Sequence, residues 1–359
     1  MSTGYFSHRS KLYLTDLFNG LVTANHILHN KDVVDGYGHI SVRNPDAPDD
    51  AFFMAHAIAP ALVSSQADIV QYSIATGEPL EKSDETKSNF IERYIHSEIY
   101  KKFPGVNCVV HSHAPEVLPF SINHVPLKAP VHTSAFLGKL SFCFASFSAW
   151  QLAPIALPFY KDGLLNVIRG RTGTDTPVWD IGSTYSSGDP HDMLVRSKKL
   201  GGALAQCFAK PATSVNFIRT KLTETITGTH NGPSTTPDFP VVLMRGHGFT
   251  VAGPGIEETV YMAIYTVQAA KIQTSALLLS NAYFAGKIEG NVDSDNGGKI
   301  KNGTIKNPKE PHYLSGREVK DATEAIWNTA QRPWQLWKRE VECLPLYVNA
   351  CSSEGEEGG

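Results

Sequence analysis

The chain has 359 residues, of which 42% are hydrophobic and 19% charged, and its formal net charge at pH 7 is -3. The absence of a basic excess argues against a nucleic-acid-binding protein, and no apolar run approaches the roughly 20 residues that a membrane span needs. Five scattered cysteines without a CxxC pair favour reduced thiols over a disulfide framework. We therefore expect a soluble, cytoplasmic protein with no nucleic-acid or membrane partner.

Helical and extended patterns alternate along the first third of the chain. Residues 11–30 carry apolar side chains at helical intervals, and three short strand patterns follow within residues 36–74. Residues 84–102 predict a helix that Asp84 caps at its N-terminus. The predicted buried face of this helix consists of Phe90, Ile91, Tyr94, Ile95 and Ile99. The run VNCVVHSHA then predicts a buried strand.

The alternation continues towards the C-terminus. APEVLPFSIN predicts a helix or turn, and LSFCFASF is another apolar run. Residues 240–253, PVVLMRGHGFTVAG, predict a pair of strands around His247, and a long helix begins after Pro254-Gly255. Because several strands come in hairpin-like pairs, we predict an α/β fold. It would be a three-layer α/β/α sandwich with a mixed, largely antiparallel central sheet.

Composition divides the chain into a core domain and an extension. We assign residues 1–285 to one catalytic domain with two insertions, at about 161–190 and 221–239, which are rich in Gly, Thr, Ser and Pro. Residues 286–359 are predicted to form a flexible linker, a C-terminal helical extension and a disordered tail.

Two histidines one residue apart, His111 and His113, end the predicted strand VNCVVHSHA. Alternate residues of a strand point to the same side, so the two imidazoles project together in chelating geometry. An isolated HxH is equally compatible with two histidines that face solvent or form ordinary hydrogen bonds. A metal site therefore needs further ligands.

Two other parts of the chain supply candidate ligands. His247 lies at a strand end between two glycines, which let the backbone bend sharply, although it also fits a simple turn histidine. Glu92 and His96 share one face of the predicted helix, where a surface ion pair is the alternative interpretation. Each of these signals is weak alone.

Together, these motifs resemble the class II aldolase and adducin family. The family pattern has a glutamate, a histidine four residues later, a tyrosine four residues after that, and then HxH. The corresponding residues here are Glu92, His96, Tyr100, His111 and His113. The family's third histidine follows a strand and precedes a long helix, as His247 does. The resemblance also includes GYGHISVR and covers roughly residues 11–285.

The resemblance implies a site and a reaction. His111, His113 and His247 are the expected ligands of one divalent metal ion per chain, with zinc favoured and manganese, iron, cobalt or nickel left open. Glu92 is the expected general base beside the metal. The implied activity is carbon–carbon bond cleavage through a metal-stabilised enolate. Family members are commonly homotetramers with the active site between subunits, so we expect a homo-oligomer.

The chain departs from the phosphate aldolases of the family at the phosphate site. Their Gly-Asn turn, Ser/Thr-Gly turn and two serines are replaced here by Gly38-His39, Ala59-Pro60 and Phe90-Ile91. An apolar pair cannot donate hydrogen bonds to a phosphate dianion. GHISVR and APALV instead resemble a branch that includes hydroxyaromatic acid decarboxylases. We therefore expect a non-phosphorylated hydroxy or oxo acid as substrate, with decarboxylation slightly favoured over retro-aldol cleavage.

Further residues are candidates for contacts with the substrate. His132 lies 19 residues after His113, where the sugar aldolases carry a catalytic tyrosine, and is predicted to act as a general acid or to hold a carboxylate. It also fits a loop histidine. His39 and Arg43 are candidates for carboxylate binding, although Arg43 equally fits a structural ion pair. The aromatic run around Trp334 would close over a pocket or pack on its own domain.

Two other functions remain open on the sequence. A non-haem iron oxygenase acting on a hydroxyaryl acid also fits three histidines, and metal identity and oxygen dependence would distinguish it from a lyase. A non-catalytic module like the adducin head would not need to keep the ligand set. The chain has no G-x-S-x-G and no G-x-G-x-x-G after a strand, which argues against a serine hydrolase and a dinucleotide enzyme.

Overall fold

A computed structural model describes residues 3–138, 175–210, 234–285 and 310–351 apart from 328 and 330. Within these residues the strands are β1 His39–Arg43, β2 Ala51–Ala55, β3 Ile69–Ser73, β4 Cys108–Ser112, β5 Val178–Trp179, β6 Val241–Met244 and β7 Gly248–Gly253. The α-helices are α1 Thr3–Asn30, α2 Lys82–Glu85, α3 Arg93–Lys102, α4 Leu118–Ile122, α5 Lys198–Cys207, α6 Ile256–Ala285, α7 Gly316–Trp327 and α8 Gln331–Glu342.

The strands form one sheet in the order β3-β2-β1-β4-β7-β6-β5. All neighbours are antiparallel except β5 and β6, which run parallel. In this register His39 lies opposite His111 on β4, and His111 lies opposite Thr250 on β7. The predicted fold class, an α/β sandwich with a mixed and largely antiparallel sheet, is confirmed.

Side chains of the central strands β1 and β4 are buried on both faces of the sheet, and they include the polar side chains of His39, Ser41 and His111. One face, with Ile40 and Val110, packs against helices α1, α6 and α8. The other face, with Val109, packs against α3 and α5. Because strand residues alternate, His39 and His111 project from the second face, towards α3.

The helix predicted over 84–102 is broken in the structure, and that prediction was wrong in its first half. Asp84 lies within the short helix α2, not at an N-cap, and the main helix α3 begins only at Arg93. The Asn89 side-chain amide donates to the carbonyl oxygens of Asp84 and Lys87, at 3.1 and 3.0 Å, and so takes acceptors that a continuing helix would use. Ile91, expected in the core, is 46% exposed.

Part of the insertion predicted at 161–190 belongs to the sheet. Val178–Trp179 forms the edge strand β5, and Trp179 is buried. Helix α5, which no pattern in the sequence predicted, follows with Ser197 as its N-cap. Residues 161–174, residues 221–233 of the second predicted insertion, and the apolar run at 140–147 lie outside the described residues.

The C-terminal helices pack against the first helix of the chain. Trp334 and Trp337 of α8 are buried in the core that α1 and α6 share, and Lys31, directly after α1, pairs with Glu340. These aromatic side chains therefore contribute to the chain's own core. The predicted linker at 286–309 and tail at 352–359 lie outside the described residues. Among the described helices, none combines the length and apolarity needed to cross a membrane.

Candidate metal centre

Strand β4 brings His111 and His113 to the same side of the sheet. Their Nε2 atoms lie 2.9 Å apart. His111 Nδ1 is 3.1 Å from the carbonyl oxygen of Phe249 and 3.2 Å from the Thr250 hydroxyl, so it carries the ring proton and donates it. The Nε2 atom of His111 therefore presents a lone pair to the site, as a metal-ligating histidine does.

His247 reaches the same point from the turn between β6 and β7. Its Nε2 is 3.0 Å from His113 Nε2. Gly246 has a left-handed φ of +65°, and a Cβ placed on Gly248 would lie 2.0 Å from the carbonyl oxygen of Ser112. Glycine is therefore required on both sides of His247 for the turn to press against the end of β4.

Glu92 completes the cluster from the N-cap of α3. It is buried, and its two carboxylate oxygens have different surroundings. Oε1 accepts a hydrogen bond from the Val195 backbone N–H at 3.0 Å, whereas Oε2 lies 3.5 Å from His247 Nε2 and 3.7 Å from His111 Nε2. Val195 was missed on the sequence because a backbone N–H has no residue-type signature.

These four side chains fit a divalent cation. One ligand atom from each of Glu92, His111, His113 and His247 lies within 4.8 Å of the others. A single ring proton on His113 cannot satisfy both of its Nε2 contacts, and the buried His247 Nδ1 has no hydrogen-bond partner among the described residues. Nitrogens bound at about 2.0–2.1 Å to one tetrahedral zinc ion stand roughly 3.3 Å apart, close to the spacing here.

Burial keeps His111 and His113 in the neutral form that ligates metal. It holds the pKa of His111 well below the usual 6.5, and the neighbouring His113 and His247 lower that pKa further. Burial also lowers the pKa of His113, with His247 adding to the effect and Glu92 opposing it. Protons therefore compete weakly for these nitrogens near neutral pH.

His39 lies beside the cluster and begins a buried hydrogen-bonded chain. Its ring centroid is 5.1 Å from that of His111. His39 Nδ1 is 2.7 Å from His96 Nε2, and the Ser41 hydroxyl is 2.6 Å from His96 Nδ1 and 2.7 Å from the Tyr100 hydroxyl. Burial lowers the pKa of His96 to about 3. His96 thus connects His39 to the protein interior.

The structure places Arg43 away from the cluster, at the other end of β1. Its guanidinium donates to the carbonyl oxygens of Val106 at 2.7 Å, Tyr100 at 2.9 Å and Phe103 at 3.1 Å, and it also bonds the carbonyl of Pro48. The side chain thereby caps the C-terminal end of α3.

His132 is not brought to the cluster of its own chain. It is exposed at the start of a 3₁₀ segment, His132–Gly138, and the neighbouring Thr133 carbonyl accepts from Tyr261 on α6 at 3.0 Å. In the described part of the chain, no hydrogen bond or ion pair joins His132 to Glu92 or to the three cluster histidines. Its predicted catalytic function remains a prediction.

Apolar side chains occupy the Ala59-Pro60 and Phe90-Ile91 positions, where the phosphate aldolases carry hydrogen-bond donors to phosphate. The Phe90 ring packs 4.7 Å from the His39 ring, between centroids, and Ile91 is 46% exposed. Ala59 leads directly into the 3₁₀ turn Pro60–Leu62. These side chains offer van der Waals contact to a ligand, and no hydrogen bond.

Comparison with known proteins shows the family of the chain. The model of the class II aldolase and adducin N-terminal domain matches residues 19–149, which include Glu92, His111 and His113. The decarboxylase tropJ of Talaromyces stipitatus is 36% identical over 332 residues, which cover 91% of this chain and 95% of that protein.

Solved structures show the same fold at low sequence identity. An L-fuculose 1-phosphate aldolase from Glaciozyma antarctica superposes with a TM-score of 0.53 at 14% identity, over 95% of this chain and 94% of that chain. An aldolase II superfamily protein from Pseudomonas syringae superposes with a TM-score of 0.52 at 15% identity, over 93% and 95% of the two chains.

Proposed function

This chain belongs to the class II aldolase and adducin family and is a lyase, and from that premise we propose that it is a divalent-metal-dependent decarboxylase of a non-phosphorylated hydroxy or oxo acid. The observation that carries the proposal is the convergence of three imidazole Nε2 atoms and the Glu92 carboxylate within 4.8 Å. His113 Nε2 lies 2.9 Å from His111 Nε2 and 3.0 Å from His247 Nε2.

His111, His113 and His247 would hold the metal through Nε2. When bound there, a divalent cation supplies a Lewis acid that polarises a substrate oxygen and stabilises developing negative charge. Zinc is the proposed ion because three neutral imidazoles with one position left for substrate are a common catalytic zinc set. Ligand type alone also fits manganese, iron, cobalt and nickel.

Glu92 would move the proton that decarboxylation requires. Loss of carbon dioxide breaks a carbon–carbon bond and leaves its electron pair on the remaining carbon, which must then take up a proton. The Val195 N–H holds Oε1 at 3.0 Å, so Oε2, which faces His111 and His247, is the oxygen free to accept and return a proton. One oxygen therefore orients the carboxylate while the other reacts.

The absence of a phosphate cradle supports an unphosphorylated acid as the small-molecule substrate. Phe90 and Ile91 stand where phosphate aldolases carry serines, and Arg43 is occupied by backbone carbonyls at the far end of β1. The relative at 36% identity is named a decarboxylase, which supports decarboxylation over retro-aldol cleavage. His39, beside the cluster, is the proposed contact for the substrate acid.

We also propose a homotetramer in which His132 serves the site of a neighbouring subunit. The support is its position, since His132 is exposed and lies apart from the cluster of its own chain. A general acid delivered by another subunit would need this kind of exposure.

The test is metal content together with product formation. Purified protein would be analysed by elemental mass spectrometry and assayed for carbon dioxide release from a panel of hydroxyaromatic and oxo acids. The His111→Ala/His113→Ala variant should lose the metal and the activity, while His124→Ala, at an exposed histidine, should retain both. Iron content with activity only in air would replace the decarboxylase by an oxygenase. Wild-type protein that takes up no divalent metal would refute the proposal.

A further inference from the structure

A chain of buried hydrogen bonds leads from the protein interior to His39. It runs from the Tyr100 hydroxyl to Ser41 Oγ at 2.7 Å, then to His96 Nδ1 at 2.6 Å, and from His96 Nε2 to His39 Nδ1 at 2.7 Å. Its members are 4% exposed or less. Each hydrogen in the chain therefore needs an acceptor within the protein, because a buried polar hydrogen without one is costly.

The direction of these hydrogen bonds follows from counting acceptors. Among the described residues, Ser41 Oγ is the only acceptor within hydrogen-bond distance of the Tyr100 hydroxyl. The Tyr100 hydrogen must therefore go to Ser41. The Ser41 hydroxyl has two partners, and since Tyr100 is already the donor, Ser41 must donate to His96 Nδ1.

The same count of donors and acceptors determines which ring nitrogen carries the proton in His96 and in His39. Both rings are neutral because they are buried among aromatic side chains: Phe52 stacks on His96 with 6.2 Å between centroids, and Phe90 lies 4.7 Å from His39. A neutral His96 that accepts at Nδ1 carries its proton on Nε2 and donates it to His39 Nδ1. His39 in turn must carry its proton on Nε2.

We propose that Tyr100, Ser41 and His96 are positioning residues that lock His39 in its Nε2–H form, as a fixed hydrogen-bond donor to an anionic oxygen of the substrate. Nε2 is the one ring nitrogen of His39 to which no described residue bonds. A protonated Nε2 cannot ligate a metal, so His39 is not a fourth nitrogen ligand although its ring lies 5.1 Å from His111.

This inference deepens the proposed function, on which it rests only for the nature of the acceptor. A carboxylate, or the oxyanion that forms on its loss, is the acceptor that a decarboxylase would place there. The His39 Nε2–H group favours a ligand that presents a hydrogen-bond acceptor to it. A ligand that presents an N–H or O–H group instead binds less well, because both hydrogens would lose water without gaining a hydrogen bond.

The tautomer can be measured without a substrate. Zinc-loaded protein labelled with ¹⁵N at histidine would be studied by solid-state NMR, with the His39 signals assigned as those missing from the His39→Phe variant. We expect His39 to carry its proton on Nε2 in the wild type and a mixture of tautomers in Ser41→Ala. The matched control is Ser97→Ala, which removes another buried hydroxyl, one with no hydrogen-bond partner among the described residues. It should leave the tautomer unchanged.

Ligand affinity gives the second readout. The probe is 2-hydroxybenzoate, titrated calorimetrically into each zinc-loaded protein. Loss of one charge-assisted hydrogen bond should weaken binding by roughly tenfold to a hundredfold in His39→Phe, with an intermediate loss in Ser41→Ala and none in Ser97→Ala. Zinc content should be equal in all four proteins.

Three results would overturn the inference, and none depends on turnover. A proton on His39 Nδ1 would reverse the proposed direction of the chain. Reduced zinc content in His39→Phe would make His39 a ligand. Equal probe affinity in His39→Phe and wild type would remove the donor function. Absence of carbon dioxide release, by contrast, would refute the decarboxylase and leave the tautomer result standing.

Discussion

The sharpest single-residue prediction concerns Glu92→Gln, which exchanges one carboxylate oxygen for an amide nitrogen at almost constant volume. The Val195 N–H requires an oxygen 3.0 Å away, so the carbonyl oxygen of the introduced amide should take the position of Oε1. The amide NH₂ group then faces His111 and His247, where Oε2 stood at 3.7 and 3.5 Å. The substitution therefore removes the proton acceptor and keeps the bond that orients it.

The expected magnitudes follow from these contacts. Loss of general acid–base catalysis should lower kcat by about 10²–10⁴, or roughly 3–5 kcal/mol of barrier. The Val195 N–H would donate to a neutral amide oxygen in place of a carboxylate oxygen, which weakens this hydrogen bond. The free energy of unfolding should fall by about 1 kcal/mol as a result. All three histidines remain, so zinc content should stay near that of the wild type.

The assay is carbon dioxide release by the zinc-loaded variant, alongside elemental analysis and urea unfolding. The control is Glu78→Gln, at a glutamate half exposed and paired with Arg93 on the surface, which should leave kcat unchanged. A Glu92→Gln enzyme that contains zinc and turns over within about threefold of the wild type would refute the assignment of Glu92 as the proton carrier.

Four further predictions follow from the same contacts. Removal of the metal with EDTA should lower the Tm. The free energy of unfolding should fall by about 2.7 kcal/mol relative to protein in zinc at a hundred times its Kd. An unchanged Tm would contradict zinc binding to the folded state. Gly248→Ala, whose Cβ would lie 2.0 Å from the Ser112 carbonyl oxygen, should lose zinc and unfold at lower urea; a variant with wild-type zinc content would contradict the packing. The pKa of His96 is about 3 in the folded protein and near 6.5 in the unfolded chain. Urea unfolding should therefore show a free energy of unfolding that is highest above pH 6.5 and falls as the pH decreases towards 3, and this fall should be shallower in His96→Gln. Equal slopes in the two proteins would contradict the lowered pKa of His96. Mixed oligomers of inactive His132→Ala and His111→Ala chains should regain activity if His132 acts across subunits, and hybrids that stay inactive would contradict its action across subunits.

Much of the site could be predicted because its residues are recognised by type and spacing. The alternation of a strand places His111 and His113 on one side, and the glycines around His247 indicate a sharp turn. The order of elements likewise predicted a mixed sheet between two layers of helices. These features are local, so a few consecutive residues determine them.

The remaining features depend on partners far apart in the chain. Val195 reaches Glu92 across 103 positions through a backbone N–H, and no residue type signals such a contact. The helix predicted from Asp84 breaks because Asn89 binds backbone carbonyls, a local competition that apolar spacing does not reveal. Arg43 was a candidate both for carboxylate binding and for a structural ion pair, and its guanidinium instead bonds carbonyl oxygens at the end of α3.

The tautomer of His39 illustrates the same limit at the level of single protons. Ser41 and Tyr100 are 59 positions apart, yet their hydrogen bond decides which nitrogen of His39 carries a proton. From the sequence, His39 was a candidate for carboxylate binding at the position where the phosphate aldolases carry an asparagine. The structure adds the reason why it should donate rather than ligate.

The central claim, a metal held by three histidine nitrogens beside Glu92, is tested most directly by anomalous X-ray diffraction from crystals of the zinc-loaded protein. We expect one strong zinc peak per chain, about 2.0–2.1 Å from Nε2 of His111, His113 and His247. A zinc peak bound elsewhere, or none among these three nitrogens at saturating zinc, would contradict it.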